Sequence, residues 1–576
     1  DYVYIRDNIY IRTLSLHNIS HLFSSFYIGE WFPLQLLSYA VDYSLWGLNP
    51  VGYHVENIVF HILNAYLVLL LLGRLCNDGH WVGLMPGILF LAHPVQVESV
   101  VWISQRKAVL NTFFFLLSFL CYIRWRKVGK TGLYIVSLSL YILSILSKIS
   151  SVMFPFLLLA WEYTLVKEEN KGKLRSLLTT LIPLVPFGLI AAGAMAIYLY
   201  GQISQKVISG FYTGTPYTTL LTMYSGFVFT YPNRLLLPVN LTAYYPPLLD
   251  IYRSMFTTHS LASLPVWMLG IALTLKAFRY NTTALFFILW FFIMIIPAPW
   301  VWVTGPFGGA DRYLYIPSIA AFALFSTGCA ALARKFPLTV RISFVIILGL
   351  ISVLTFKRSR VWENSITLWE DVVSKSPQLA KAQDGLSQSY MEVGRLKDAI
   401  VHSRQATSLD PTVAMYFYTQ GRIYRSLKNF PDALANFSRA DELEPGNSVL
   451  HGEIAVTYEE LGEWKKAIEE YKKSIALDPD KAYFSMRNLG ALYIKLKRYQ
   501  EAVEQLEHVI KIVPDYAEAH RFLGVIYVKV FGKTEKGLSH LKVSLELDPV
   551  QPGADALRSF IMQNTPQQSG PHETNH

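Results

Sequence analysis

Carboxylates, histidines and basic residues recur beside the long apolar segments in the first 360 residues of this chain. Ionisable groups at membrane depth are costly and usually face a polar cavity, so together they indicate one site at the outer membrane interface. Carboxylates there can accept protons, and basic groups can hold an anion. The residues concerned are Asp1, Asp7, Asp42, His54, Glu56, Asn57, His61, His93, Glu98, Arg106, Lys107, Lys148 and Asp311–Tyr313.

Each of these residues also has a purely structural interpretation. His54 and His61 lie seven residues apart on one helix face and could be hydrogen-bonding core residues. Arg106 could extend its charge to the membrane interface, or could form a structural ion pair with Glu98. Lys148 lies between two apolar runs without a neighbouring acidic residue in the sequence, which favours a bound anion. No phosphate-binding loop, dinucleotide fingerprint, zinc spacing or nucleophile elbow occurs.

The elements that must position these residues are membrane helices. The chain is 52% hydrophobic and only 16% charged, which is abnormal for a soluble protein of 576 residues. Residues 217–237 are interrupted by polar residues and predict a surface or re-entrant helix. Ten spans are predicted near residues 55–75, 82–101, 108–124, 131–147, 149–166, 177–200, 261–277, 284–303, 314–333 and 338–356.

Alternation of basic and charge-poor loops predicts the orientation. Five loops carry basic residues and are expected on the cytoplasmic side. They hold Arg74, then Arg124, Arg126, Lys127 and Lys130, then Lys167, Lys171, Lys173 and Arg175, then Lys276 and Arg279, then Arg334, Lys335 and Arg341. The even number of spans then places residues 1–50 and the C-terminal part on the same outer face. Cytoplasmic basic loops also explain the net charge of +10, so no nucleic-acid partner is inferred. We further expect a membrane helix upstream of Asp1.

A periodic array follows the membrane segment. Pro377, Pro411, Pro445, Pro479, Pro514 and Pro549 recur every 34 or 35 residues. Small and aromatic residues recur between them, as at Gly421, Tyr424, Ala433 and Phe437. This is the tetratricopeptide (TPR) pattern, in which small residues allow two antiparallel helices to cross closely and proline ends the second helix.

The predicted architecture is therefore all-α. A polytopic helical membrane domain occupies residues 1–360, a connecting helix 361–376, five TPR repeats with a terminal helix 377–562, and a disordered tail 563–576. The first helix of each TPR pair normally lines a concave groove that binds extended peptides. The predicted groove residues are Tyr416, Gln420, Arg422, Asn488 and Arg521.

The order of motifs in the chain resembles the transmembrane and TPR repeat-containing glycosyltransferases and their bacterial relatives. These proteins are similar in architecture to protein O-mannosyltransferases and other GT-C enzymes. The resemblance covers nearly the whole chain. It rests on Asp1–Asn8, Trp31–Leu34, Leu48–His54, Asn57 with His61, Ala92–Ser99, Gln105–Lys107, Ala310–Tyr313 and Trp362–Trp369.

The resemblance implies an inverting, GT-C-like enzyme that uses a polyprenyl-phosphate sugar on the outer face. It assigns Asp1 to the acidic motif of the first loop, as catalytic base or its neighbour, although Tyr2 occupies a position that is often acidic in the family. Cations would hold the lipid phosphate as it leaves. Donor phosphate or sugar would be bound by Arg106, Lys148, Arg312, His54, His61, His93 and Glu98.

Three functions remain open at this point. The first is transfer of sugar to a protein or peptide hydroxyl, with the TPR repeats recruiting the acceptor. The second is glycosylation of an envelope glycolipid or polysaccharide, and the third is a non-catalytic membrane scaffold. A divalent metal is compatible with the chemistry but is not indicated, because no compact set of carboxylates is visible. Short loops and a compact repeat set favour a bacterial inner membrane.

Overall fold

The computed structural model divides the chain into two compact units, Asp1–Ser376 and Pro377–His576. The structure describes residues 2–27, 29–75, 82–164, 181–205, 231–245, 281–297, 309–551 and 553–564, with the single positions 268, 272, 276 and 279. Asp1, residues 177–180 of the predicted span 177–200, residues 298–303 of the predicted span 284–303, most of the re-entrant segment and the tail from residue 565 lie outside this described part. The predicted span 261–277 touches it only at single positions. Within it, helices are the regular elements of both units.

The first unit begins with short helical turns at Tyr2–Arg6 and Ile9–Ile11 and then continues as α-helices. Its helices are α1 Leu16–Ser24, α2 Pro33–Trp46, α3 Pro50–Leu75, α4 Met85–Ala92, α5 Val97–Val101, α6 Arg106–Val128, α7 Thr131–Ser147, α8 Phe154–Thr164, α9 Val185–Ser204, α10 Thr282–Ile295, α11 Pro317–Ala333, α12 Pro337–Val361 and α13 Ser365–Lys375. Short 3-10 helices at Val82–Leu84, Pro94–Gln96, Ile103–Gln105, Ile149–Met153, Ile182–Leu184 and Asp311–Leu314 connect or extend them.

Four of the described helices are long and apolar enough to cross a membrane. They are Pro50–Leu75, Ile103–Val128, Ile182–Ser204 and Pro337–Val361, and the last is almost entirely unburied within the protein. Its exposed side chains include Ile342, Val345 and Phe356. A continuous apolar surface of this length needs lipid around it. The chain is therefore an integral membrane protein.

One predicted span differs from the structure. The apolar run at 82–101 is not a single helix but is divided into α4, a 3-10 turn at Pro94–Gln96 and α5. Pro94 has no N–H to donate and disfavours helical backbone at His93, which is extended at φ −77° and ψ 133°. The break turns the chain so that Glu98 begins a new short helix instead of lying within a long one.

The second unit contains five antiparallel helix pairs and a terminal helix. The pairs are α14 Ala380–Glu392 with α15 Leu396–Leu409, α16 Ala414–Ser426 with α17 Phe430–Leu443, α18 Ser448–Glu460 with α19 Trp464–Leu477, α20 Tyr483–Lys495 with α21 Tyr499–Ile512, and α22 Ala517–Lys529 with α23 Thr534–Leu547, followed by α24 Ala554–Asn564. A Cβ atom at Gly421 would lie 2.6 Å from the Phe437 ring, so glycine permits the close crossing of α16 and α17. This is the packing that the repeat pattern predicts.

Candidate functional site

A tight turn in the first unit positions a carboxylate that the sequence did not single out, Glu30. The backbones of Tyr27 and Glu30 exchange two hydrogen bonds of 2.9 and 3.0 Å. Two glutamines at the end of α9 hold the turn: Gln202 Nε2 donates to Gly29 O at 2.9 Å, and Gln205 Oε1 accepts from Gly29 N at 2.5 Å. The Glu30 side chain therefore projects from a braced loop, and 38% of it is exposed.

Three basic side chains from separate segments lie within electrostatic range of Glu30. Lys107, at the start of α6, forms an ion pair with Glu30 and is 12% exposed. Lys148 and Arg312 are close enough for their charges to act on the Glu30 carboxylate. We name Glu30, Lys107, Lys148 and Arg312 the cation cluster. The phenols of Tyr4, Tyr198 and Tyr313 also lie within electrostatic range of Glu30.

Lys148 differs from the other cations because its ammonium has no hydrogen bond or ion pair to any of the described residues. It follows α7 in extended backbone at φ −161° and ψ 134°, between two apolar helical segments. Asn111 fixes this backbone by donating to the Lys148 carbonyl at 3.0 Å. A partly buried cation held in place without a counter-ion is suited to bind an anion.

The charges of the cluster shift two pKa values in a consistent way. Burial alone would raise the pKa of Glu30, but Lys107, Lys148 and Arg312 lower it below its ordinary value. Burial and the neighbouring Lys107 and Arg312 lower the pKa of Lys148 to about 7. The carboxylate therefore stays ionised, while Lys148 is about half protonated near pH 7 and a bound anion would favour its charged form.

Arg312 is paired within the cluster by Glu98. The Glu98 carboxylate accepts from the Arg312 guanidinium and, at 3.2 Å, from the Arg312 backbone N–H. The guanidinium also lies over the rings of Trp102 and Tyr313, at 5.4 and 5.2 Å from their centroids. Glu98 is 1% exposed, so its role is to orient Arg312. The structural alternative of an ion pair between Glu98 and Arg106 is not formed, because Glu98 pairs with Arg312 and Arg106 with Asp42 and Glu56.

Arg106 has a structural role instead of the predicted phosphate contact. Its guanidinium contacts Asp42 at 2.9 Å, Glu56 at 3.0 Å and the Tyr53 carbonyl at 2.8 Å, and it also donates to Asn57. Arg106 and Asp42 are both fully buried. These partners occupy the guanidinium, so the neighbouring residue Lys107, not Arg106, faces the cluster.

The three predicted histidines also bond within the protein. His61 Nε2 donates to the Leu91 carbonyl at 3.2 Å, so its Nδ1 accepts from the Tyr315 hydroxyl at 2.8 Å. His93 Nε2 donates to the Leu235 carbonyl at 3.0 Å, and its Nδ1 accepts from the Val95 N–H at 3.2 Å. His54 hydrogen-bonds the backbone of Val101. These contacts fix helix ends and leave no ring nitrogen of His61 or His93 for a ligand.

Asp311 precedes Arg312 but does not pair with it. Its carboxylate accepts from the Tyr245 hydroxyl at 2.8 Å and lies 3.4 Å from Arg234 and 3.9 Å from Arg358. Arg358 continues to Asp371 on α13 at 3.2 Å. Asp311 is 1% exposed, so this network fixes the backbone that presents Arg312 to the cluster.

Asp1 lies outside the described residues, and its role as a base stays a prediction. No group of three or more His, Cys, Asp or Glu side chains suited to a metal ion occurs in the described part of the chain. Sequence reasoning missed Glu30 and preferred Arg106 over Lys107. The available signal was the glycine that precedes Glu30 in a turn beside the Trp31–Leu34 motif.

The TPR residues predicted to line the groove behave differently from one another. Tyr416 is 7% exposed and packs with Ala380 and Ala406, and Gln420 is 6% exposed, so both belong to the packed interior. Little of either side chain is exposed for contact with a peptide, and their place in a binding groove stays a prediction. Arg422 and Arg521 are 39% and 28% exposed and form ion pairs with Glu453 and Glu518. Asn488 is half-buried and hydrogen-bonds Tyr471.

Known proteins match segments in both units of the chain. The tetratricopeptide repeat family model matches residues 447–515. Across 553 residues the chain is 24% identical to the protein O-mannosyl-transferase TMTC3 of Mus musculus, a match that covers 90% of this chain and 57% of that protein. The protein O-mannosyl-transferase F38B6.6 of Caenorhabditis elegans is 27% identical over 399 residues, which cover 66% of this chain and 54% of that protein.

Shorter and weaker similarities accompany these matches. The protein O-mannosyl-transferase TMTC2 of Mus musculus is 36% identical over 117 residues, 20% of this chain and 13% of that protein. A crystal structure of MamA aligns with 28% of this chain and 95% of its own, at 20% identity and a TM-score of 0.26. The chain spans about half the length of the first curated relatives that it matches.

Proposed function

We propose that this chain is a membrane glycosyltransferase that moves a sugar from a polyprenyl-phosphate donor to a hydroxyl of a protein or peptide. The observation that carries the proposal is the cation cluster, in which Lys148 has no counter-ion among the described residues while Lys107 and Arg312 lie around an accessible carboxylate. The similarity to proteins named protein O-mannosyl-transferases supports the reaction class.

The cluster matches the charge that develops during such a transfer. The donor is a phosphodiester with one negative charge, and the polyprenyl phosphate that departs gains a second one. Lys148 would hold the phosphate, because it has no other partner in the described part of the chain, and Arg312 would supply oriented N–H donors. Lys107 would leave its ion pair with Glu30 and pair with a phosphate oxygen as negative charge grows on the leaving phosphate.

The reaction is a single displacement at the anomeric carbon. The acceptor oxygen forms the new bond as the bond to the phosphate oxygen breaks, which inverts the configuration, and the acceptor proton passes to a carboxylate. Asp1 remains the proposed base. The transfer is balanced without an oxidant or reductant, since the leaving phosphate takes both electrons of the broken bond. This chemistry is that of a GT-C-type enzyme.

We further propose that the site faces the extracytoplasmic side of a bacterial inner membrane and that the repeats lie on the same side to recruit the acceptor. The support is the alternation of basic and charge-poor loops along the first unit. Single cysteines introduced at Ser438 or Asn447 should react with an impermeant thiol reagent from the extracytoplasmic side. Reaction only after the cytoplasmic face is opened would contradict the shared orientation.

The test of function is transfer of radiolabelled sugar by the purified protein in lipid nanodiscs. A panel of polyprenyl-phosphate sugars is offered with either a serine- and threonine-containing peptide or a membrane glycolipid. Label in the peptide supports the proposal, and label in the glycolipid alone would replace the acceptor class. Absence of transfer from every donor to either acceptor would indicate a non-catalytic scaffold.

A further inference from the structure

The segment that joins α12 to α13 contacts the region of the cation cluster through a pair of neighbouring indoles. Trp362 follows α12, and its ring centroid lies 5.8 Å from that of Trp102, with an interplanar angle of 31°. Trp102 follows α5, where Asn57 on α3 holds the chain by donating to the Val100 carbonyl at 3.1 Å. The two indoles therefore join the end of α12 to a fixed part of the packed helices.

A guanidinium lies over each of the two indoles. The guanidinium carbon of Arg312 lies 5.4 Å from the centroid of the Trp102 ring. The guanidinium carbon of Arg358 lies 5.7 Å from the centroid of the Trp362 ring. Flat guanidinium groups stack on indole faces, so the plane of one group depends on the plane of the next. We name Arg312, Trp102, Trp362 and Arg358 the arginine–indole row.

Arg358 also reaches Arg312 by a second route. Its guanidinium lies 3.9 Å from the carboxylate of Asp311, the residue before Arg312, and 3.2 Å from the carboxylate of Asp371 on α13. Arg358 is 6% exposed, so these carboxylates and the Trp362 ring fix its position. One route acts on the side chain of Arg312 and the other on its backbone, and both begin at Arg358.

We propose that Trp362 and Arg358 are positioning residues, which hold the Arg312 guanidinium in the orientation that binds an oxyanion. Glu98 pairs with one edge of this guanidinium, and the Trp102 ring sets its plane. A guanidinium grips phosphate with two parallel N–H groups only when its edge and its plane are both set. Trp362 and Arg358 act through Arg312 and not on the anion.

The identity of this anion as a lipid-linked phosphate rests on the proposed function, whereas the positioning of Arg312 does not. The inference also gives a role to the first residue of the Trp362–Trp369 motif, which the proposed reaction does not use. A change at the end of α12 that leaves every charge in place should therefore alter the affinity of the site for an anion.

The first test measures binding of inorganic pyrophosphate to the full chain in lipid nanodiscs by isothermal titration, without a sugar donor. Trp362→Leu keeps an apolar side chain and the net charge but removes the indole face. The affinity should fall by about tenfold, the lower end of the loss expected for one charge-assisted hydrogen bond, and Trp362→Phe should restore most of it. Wild-type affinity in Trp362→Leu would overturn the proposal.

Trp125→Leu is the matched control for the loss of an indole. Trp125 also lies beneath a guanidinium, that of Arg126 at 5.6 Å, and its ring centroid lies 4.7 Å from that of Tyr134. It belongs to the last turn of α6, whereas Lys107 of the cluster belongs to the first. Trp125→Leu should leave pyrophosphate affinity unchanged, and a loss equal to that in Trp362→Leu would contradict a specific role for Trp362.

A double-mutant cycle with Arg312→Met separates positioning from a general effect on the fold. If Trp362 acts through Arg312, Trp362→Leu should cause no further loss of pyrophosphate affinity in the Arg312→Met background. A loss in that background as large as in the wild type would refute the coupling between the two side chains.

Two conservative arginine variants test the role of Arg358 without a change of charge. Arg358→Lys removes the planar group that covers Trp362, so pyrophosphate affinity should fall by about threefold or more. Arg360→Lys is the control on the same helix, because Arg360 is exposed and lies over the Phe356 ring at 5.4 Å. It should bind like the wild type, and the same affinity in both variants would refute the role of Arg358.

Sugar transfer distinguishes the failure of this inference from failure of the proposed function. Pyrophosphate binding that depends on Trp362 through Arg312, in a protein that transfers no sugar from any donor, would refute the proposed function and keep the positioning role. Sugar transfer by Trp362→Leu with wild-type affinity for both pyrophosphate and donor would refute the positioning role alone.

Discussion

Replacing Lys148 by methionine tests the anion site at its most specific residue. Methionine keeps the length of the side chain and removes its charge. The Lys148 ammonium has no hydrogen bond or ion pair to the described residues, so the change breaks no contact that the folded protein is seen to use. Removal of an unpaired, partly buried cation should therefore leave the thermal stability unchanged or slightly raise it.

The expected loss of donor binding follows from the loss of one charge-assisted hydrogen bond. Such a bond to a poorly hydrated phosphate contributes about 1.5–3 kcal/mol, which corresponds to roughly ten- to a hundredfold in affinity. The rate should fall by at least the same factor, because the departing phosphate carries more negative charge than the bound donor. Isothermal titration with a polyprenyl-phosphate sugar and steady-state transfer measure the two effects separately.

The dependence on pH gives a second signature of Lys148. Its pKa of about 7 lies below the ordinary value for lysine, so the free protein loses this charge as pH rises through 7. Donor affinity of the wild type should then fall toward tenfold per pH unit, since bound phosphate requires the protonated amine. The unfolded chain keeps the proton to a higher pH, so the stability of the free protein should rise between about pH 7 and 10.5.

Both pH trends should disappear in Lys148→Met. Lys130→Met is the matched control for the loss of a lysine charge, because Lys130 is exposed and lies at the opposite end of α7 from Lys148. If Lys148→Met retains wild-type affinity for the donor and the wild-type pH profile, the reasoning from its missing counter-ion is refuted.

Three further substitutions separate structural from functional groups. Arg106→Met leaves Asp42 fully buried without its cation, so the free energy of unfolding should fall by about 3–5 kcal/mol. Thermal unfolding in detergent measures this loss. A melting curve like that of the wild type would contradict a structural role for the Arg106–Asp42 pair. Glu30→Gln removes the carboxylate that competes with phosphate for Lys107. A partly exposed ion pair contributes about 0.2–1 kcal/mol, so inorganic pyrophosphate and the donor should bind about threefold more tightly in a titration. Weaker binding would show that Glu30 contacts the donor favourably. Gly201→Ala places a Cβ atom 3.0 Å from the Gly29 carbonyl and against the Phe26 ring, so the Glu30 turn should shift. We expect sugar transfer to slow by about tenfold and the free energy of unfolding to fall by about 1–3 kcal/mol. Unchanged kinetics would show that the turn does not position the site.

The helical repeats could be predicted from the sequence in detail because each residue of the period has a local packing reason. Gly421 lies against Phe437 where two helices cross, and prolines at the period boundary end the second helices. Buried positions within a first helix were harder to separate from surface ones. Tyr416 and Gln420 are polar enough to suggest a groove, yet the neighbouring helices bury both.

The candidate site could be predicted only as a set of residues. Successive helical residues point about 100° apart, so Arg106 and Lys107 at the start of α6 have different partners, and the sequence does not show which one faces the cluster. Glu30 depends on contacts of its loop with Gln202 and Gln205, more than 170 residues away in the chain. Long-range contacts of this kind leave no local pattern.

The central claim is that the cation cluster holds the phosphate of a lipid-linked sugar. A polyprenyl-phosphate sugar with a photoreactive group beside the phosphate tests it directly, by irradiation of the complex and mass spectrometry of the proteolytic peptides. The account predicts crosslinks to the segments that contain Lys107, Lys148 and Arg312, suppressed by excess unlabelled donor. Crosslinks confined to other segments, or unaffected by competition, would contradict it.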